Sequence, residues 1–153
     1  MRPPDQENIC RVRAGRVVEV HIGRLGDVDA LQSLATDVLA AIDRSPSLAV
    51  VCTDCRSACP VGREVAHAWS CAMRRVNRRI ARSAFLLDPD NTMFNLQFER
   101  IVRCAINPER RCFTQVQSMI DWIGVALTEP ERQALRPLFW DADATADTSC
   151  SIC

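Results

Sequence analysis

Two short and nearly uninterrupted apolar runs, Leu48–Cys52 and Ser83–Leu87, constrain the fold more than any other feature of the chain. Strands without polar alternation need cover on both faces, which a sheet open to water on one side does not supply. Each run is followed by apolar residues at helical spacing. Val65, Ala68, Trp69, Ala72, Val76 and Ile80 follow the first, and Phe94, Phe98, Ile101 and Ala105 follow the second. Strand, helix, strand, helix in this order implies parallel strands joined by crossover helices.

The flanking segments extend the pattern. Asn8–Arg13 and Arg16–Ile22 are strand-like runs on either side of Ala14-Gly15, a hairpin turn. In the second run Val18, Val20 and Ile22 alternate with Val17, Glu19 and His21, which predicts one more-buried face. Asp27 or Asp29 caps a helix with Val28, Leu31, Leu34, Ala35, Val38, Leu39 and Ile42 inward, and Ser45-Pro46 ends it. Asn91 or Thr92 caps the third helix, Asn107-Pro108 ends it, and Arg111–Phe113 is a last short strand. Thr114-Gln-Val-Gln117 reads as a capping box for a fourth helix carrying Val116, Ile120, Ile123 and Leu127 inward. Thr128-Glu-Pro-Glu131 reads as a second box opening a short final helix to about Phe139. The expected fold class is α/β, a single ββαβαβαβα domain over 8–140. Its five-stranded sheet is mixed but mostly parallel, with flanking helices and a core containing Trp69, Phe94, Phe98, Ile101 and Ile123. Residues 1–7 and 141–153, polar and poor in large apolar groups, are expected to be flexible.

Composition narrows the function classes. Acidic and basic residues number 19 each, so no net field draws the chain to nucleic acid or an anionic membrane. All the basic residues are arginine, which removes Schiff-base chemistry and a phosphate-binding lysine. The N-terminus lacks the apolar segment of a secretory signal, and no run approaches the ~18 apolar residues of a membrane span. Nine cysteines without an export signal read as reduced thiols, and a cytoplasmic location is expected.

Those cysteines supply the most conspicuous motif, Cys52-Thr-Asp-Cys55-Arg-Ser-Ala-Cys59-Pro60, which reproduces all but the first cysteine of a bacterial ferredoxin run. Cys71, Cys104 or Cys112 would have to complete a metal site. The plainer reading packs Cys52 in its strand as a small hydrophobe and leaves Cys55 and Cys59 as loop thiols. No cofactor is expected. A thiol-redox or metal-binding protein using Cys52, Cys55 and Cys59 stands as the alternative.

The element order, together with the short turn Val-Cys-Thr-Asp54-Cys-Arg56 after the third strand, resembles the STAS superfamily. That superfamily comprises the sulfate-transporter and anti-sigma-factor-antagonist domains and their looser bacterial relatives. The resemblance implies a regulatory module. In antagonists of this type a serine in an Asp-Ser-Ser-Gly setting accepts a phosphate. Here Cys59-Pro-Val-Gly62 stands near that position, and Ser57 lies several residues early. The resemblance therefore does not carry the phosphoswitch to this chain.

On the second helix His67, Cys71, Arg74 and Arg78 are spaced to share an outward face. A solvated face is the bland reading, and a docking surface for an acidic partner is the sharper one. Nucleic acid fits less well, since no aromatics interleave with the arginines. His67 and Cys71 have ligand spacing, but the adjacent arginines disfavour a cation. No P-loop, glycine-rich dinucleotide motif or nucleophile elbow follows any strand. Asp54 at a strand end reads as a capping carboxylate with no catalytic role. The terminal Cys150-Ser-Ile-Cys153 fits a prenylation box formally and is read as coincidence. The expected activity is non-enzymatic: docking of a protein partner through Ser57, Cys59, Gly62, Arg63, Arg74 and Arg78, without nucleic acid or membrane. A homodimer is compatible with this.

Overall fold

The computed structural model describes residues 8–135. The expected flexible segments, the end of the final helix and the terminal Cys-Ser-Ile-Cys lie outside them. Strands β1 (Ile9–Ala14), β2 (Val17–His21), β3 (Ala49–Asp54), β4 (Ile80–Leu86) and β5 (Arg110–Phe113) form one sheet in sequential order. β1 and β2 pair antiparallel and all later pairs are parallel. The hairpin turn depends on Gly15, whose φ of +53° suits glycine and few other residues. A Cβ there would also lie 3.1 Å from Oε1 of Glu131.

Helices α1 (Val28–Asp43), α2 (Arg63–Arg75) and α3 (Thr92–Cys104) cover one face of the sheet, and α4 (Val116–Gly124) with the helical residues 129–135 covers part of the other. This gives two cores. The first contains Val18, Val20, Val51 and Phe85 from the strands, with Trp69, Phe94, Phe98 and Ile101 from the helices. Phe98 sits at its centre, with ring centroids 4.9 Å from Trp69, 4.9 Å from Phe85 and 5.3 Å from Phe94. The second contains Val17, Val50, Cys52, Ala84 and Leu86 with Met119 and Ile123. Trp69, Phe94, Phe98, Ile101 and Ile123, the five residues expected in the core, are all buried.

Several local expectations give way to tertiary contacts. Val76 and Ile80 keep helical spacing, but α2 ends at Arg75, a 3-10 turn spans Asn77–Arg79, and Ile80 begins β4. Asn77 imposes the turn: its amide donates to the Ala105 carbonyl at 2.7 Å, and its side-chain oxygen accepts from Arg110 at 3.1 Å. Leu39 falls at the rim of the α1 stripe and is exposed, while Ala41 takes the inward place. Neither capping box closes. Gln117 bonds forward to Asp121, and Glu131 turns to Arg16 at 3.3 Å. β2 is buried on both faces, Glu19 included, so the single more-buried face expected of it is absent.

Candidate functional site

Parallel strands deliver their loops to the carboxyl edge of the sheet, where α/β folds place binding residues. The loop after β3 occupies that edge, and β3 ends in Asp54, whose carboxylate organises the first turn of the loop. Its Oδ1 accepts from the backbone amide of Arg56 at 3.0 Å and from that guanidinium's Nε at 3.1 Å, and its Oδ2 accepts from Nη2 at 2.9 Å. Register places His21 beside Asp54 and Glu19 beside Cys52 on the same sheet face. His21 bridges two carboxylates, with Nε2 2.9 Å from Glu19 Oε1 and Nδ1 3.6 Å from Asp54 Oδ2. The second Glu19 oxygen is buried and accepts no hydrogen bond among the described residues; Arg11 at 3.4 Å and Arg13 at 4.0 Å compensate its charge. Both nitrogens of His21 and both oxygens of Asp54 are thus engaged. The cluster anchors the start of the loop.

The rest of the loop is held from α3. Asn91 Nδ2 donates to the Ala58 carbonyl at 2.9 Å. Gln97 accepts from the amide of Val61 at 2.8 Å and donates to its carbonyl at 2.8 Å, as a neighbouring strand would. Between these ties Cys59 is half-buried, and on either side of them Ser57, Gly62 and Arg63 are exposed. Beside them α3 turns two large apolar side chains to solvent, Met93 (73% exposed) and Leu96 (65%). Arg100, one turn further, is also exposed.

The candidate residues do not form one patch. Ser57, Cys59, Gly62 and Arg63 stand together at the carboxyl edge. Arg74 lies eleven residues along α2 from Arg63, or about 16 Å at helical rise. Its Nε donates to the Cys104 carbonyl at 2.7 Å, tying the ends of α2 and α3 together. Arg78 is not on α2 at all. It belongs to the turn entering β4 and borders a surface depression of about 440 Å³ with Ile42, Leu48 and Arg79. Nor do Cys52, Cys55 and Cys59 make a donor set. Cys52 packs in the second core and Cys55 in the first, as two positions three apart on an extended chain must. Burial pushes both thiols well up from their ordinary range. Among the described residues no three His, Cys, Asp or Glu side chains come together as ligands.

Glu19, His21, Met93 and Leu96 were not singled out as site residues from the sequence. A carboxylate between valines in β2 was the available signal for the first pair. For Met93 and Leu96 the signal was the stripe of Phe94, Phe98, Ile101 and Ala105, which turns both away from the core face of their helix.

No family model and no curated protein matches the sequence. Among solved structures, the chain is similar to an uncharacterized protein of the DUF3478 family with a SpoIIAA-like fold from Shewanella loihica PV-4. The two share 15% identity at a TM-score of 0.50, over 76% of this chain and 92% of that one. With its antiparallel first pair, parallel remainder and flanking helices, the chain has a SpoIIAA-like, STAS-type fold.

Proposed function

We propose that this chain is a non-catalytic regulatory module that docks a protein partner at the carboxyl edge of its sheet. One observation carries the reading: Met93 and Leu96 are solvent-exposed beside a loop tied down at both Ala58 and Val61. Large apolar side chains on a preorganised surface, rimmed by arginine, have the anatomy of an interface centre. Arg63 and Arg100 form the rim, so the partner presents an apolar anchor flanked by carboxylates. Ser57, Cys59 and Gly62 supply the loop side of the footprint. Arg74 and Arg78 lie outside it and contribute at most long-range attraction. The STAS-type fold favours such a role, since domains of that shape generally work by association.

The test compares two double variants in quantitative pull-downs from the source cells. A partner enriched by the parent chain should be lost with Met93→Asp/Leu96→Asp, a change of at least tenfold for removal of two interface anchors. It should be retained with Arg74→Glu/Arg78→Glu. The opposite pattern moves the docking surface to the far end of α2, and loss in neither variant overturns the reading.

A further inference from the structure

Among the described residues the sheet ends in two edge strands, β1 and β5. An open edge offers its amides and carbonyls to any strand that fits, and bulges or charged side chains ordinarily guard it. β1 carries such a guard, a register shift between Val12 and Ala14. The arginines of β5 leave its edge open: Arg110 turns inward to Met73 and Asn77, and Arg111 lies over the Trp122 ring, 5.2 Å from its centroid. Ser83 and Leu87 donate to the carbonyls of Glu109 and Phe113 at 2.8 and 2.7 Å. In a trans peptide the N–H points opposite to the preceding C=O, so the Thr114 amide points away from β4. Alternation along the ladder turns the amide and carbonyl of Cys112 and the carbonyl of Arg110 the same way. The Arg110 amide is already bound to the Asn107 carbonyl at 3.2 Å.

α3, the turn after it and β5 border a groove of about 580 Å³ lined by Val102, Ile106 and Cys112 together with Glu99 and Arg103. Ile106 is 72% exposed and has a φ of +53°, at the position just past a helix where glycine or asparagine is usual. A β-branched apolar side chain is thus kept on the groove wall at a cost in backbone energy.

We propose that the β5 edge is an interface between two copies of this chain, paired antiparallel about a two-fold axis at Cys112. The edge is self-complementary on that axis. Cys112 of each copy donates to and accepts from Cys112 of the other, and the Thr114 amide of each donates to the Arg110 carbonyl of the other. The same register sets Arg111 opposite Phe113 of the second copy, an arginine against an aromatic ring rather than against another arginine. Symmetry turns the two grooves toward each other and buries Ile106. Each groove brings both Glu99 and Arg103, so the contact is balanced in charge. None of these residues belongs to the proposed partner-docking surface, so the two readings stand or fall separately.

Sedimentation velocity of the reduced full chain between about 1 and 200 µM, which brackets a micromolar dissociation constant, should show conversion from 17.1 kDa to twice that mass. Over the same range hydrogen exchange at the Cys112 and Thr114 amides should slow at least tenfold. Ile106→Asn suits the backbone and removes the apolar contact. It should weaken the dimer at least tenfold while leaving the urea stability of the monomer unchanged or higher. Cys112→Pro takes away an outward amide, a change that edge strands tolerate, and should leave the chain monomeric. If that variant does not fold, Ile106→Asn and the exchange rates decide. A parent chain monomeric throughout overturns the proposal. So does a dimer that either folded variant leaves at full strength, or one in which Cys112 and Thr114 exchange as fast as in the monomer.

Discussion

Arg110 is a buried guanidinium with no carboxylate beside it among the described residues. Its donors reach the Met73 carbonyl at 2.8 Å, Asn77 Oδ1 at 3.1 Å and Ser83 Oγ at 3.2 Å. Burial lowers its pKa to about 10, so it remains charged at neutral pH and the desolvation is offset by those acceptors. One side chain thereby joins the end of α2, the 3-10 turn, β4 and β5. Arg110→Met removes the charge but strands three acceptors, and urea denaturation should show a loss of about 2–4 kcal/mol. Arg110→Lys should recover less than half of that, because an ammonium cannot reproduce the planar fork. A loss below about 1 kcal/mol for Arg110→Met, comparable to an ordinary surface change, would show that the fork is dispensable. At this same scale the sequence concealed Glu19 and His21. Alternation identified their face of β2 but could not show that Arg11, Arg13 and Asp54 would come together around them.

At the scale of elements, the loop between β3 and α2 owes its shape to α3. The amide of Val61 is satisfied by Gln97, a contact between residues 36 positions apart. Replacing Gln97 with alanine leaves both backbone groups of Val61 to water. Hydrogen exchange at the Val61 amide should accelerate at least tenfold, while global stability falls by only about 1–2 kcal/mol. Unchanged exchange at Val61 would mean that Asn91 alone holds the loop. The α2 boundary has a similar origin. Val76 and Ile80 satisfy helix and strand periodicities equally well over so short a stretch, and the Asn77 contacts with α3 and β5 decide between them. Capping boxes fail for a related reason, since Glu131 finds a stronger partner in Arg16 than in a nearby backbone amide.

Across the whole molecule, cysteine chemistry couples stability to pH. Cys10, Cys52, Cys55 and Cys112 all have folded-state pKa values raised above the ordinary thiol value, with burial as the largest cause in each. The folded form therefore holds protons that the unfolded chain releases. This contribution is complete below about pH 9 and is lost as pH rises from there toward the raised values. Each fully buried thiol, Cys52 and Cys55, should cost about 1.4 kcal/mol per pH unit over that interval. Under reducing conditions the urea midpoint should fall steeply between about pH 9 and 11, and Cys52→Ala or Cys55→Ala should flatten the slope. A midpoint flat across that interval would mean that these thiols are not protected by the fold. The sequence by itself determined the fold class, the order of the elements, the parallel centre of the sheet and the aromatic core. All of these stem from periodicity and burial, which are local properties of a run of residues. Only the tertiary structure decided that Arg74 and Arg78 stand apart from the Ser57–Arg63 loop, because helix direction across the sheet separates residues that a helical wheel superimposes. It also decided that Cys52 and Cys55 belong to different cores, since adjacency in a motif says nothing about which face of a sheet each side chain enters. Finally, it decided that the helix carrying the outward-facing Met93 and Leu96 holds the loop after β3 through Asn91 and Gln97, a packing between elements that no single stretch of residues encodes.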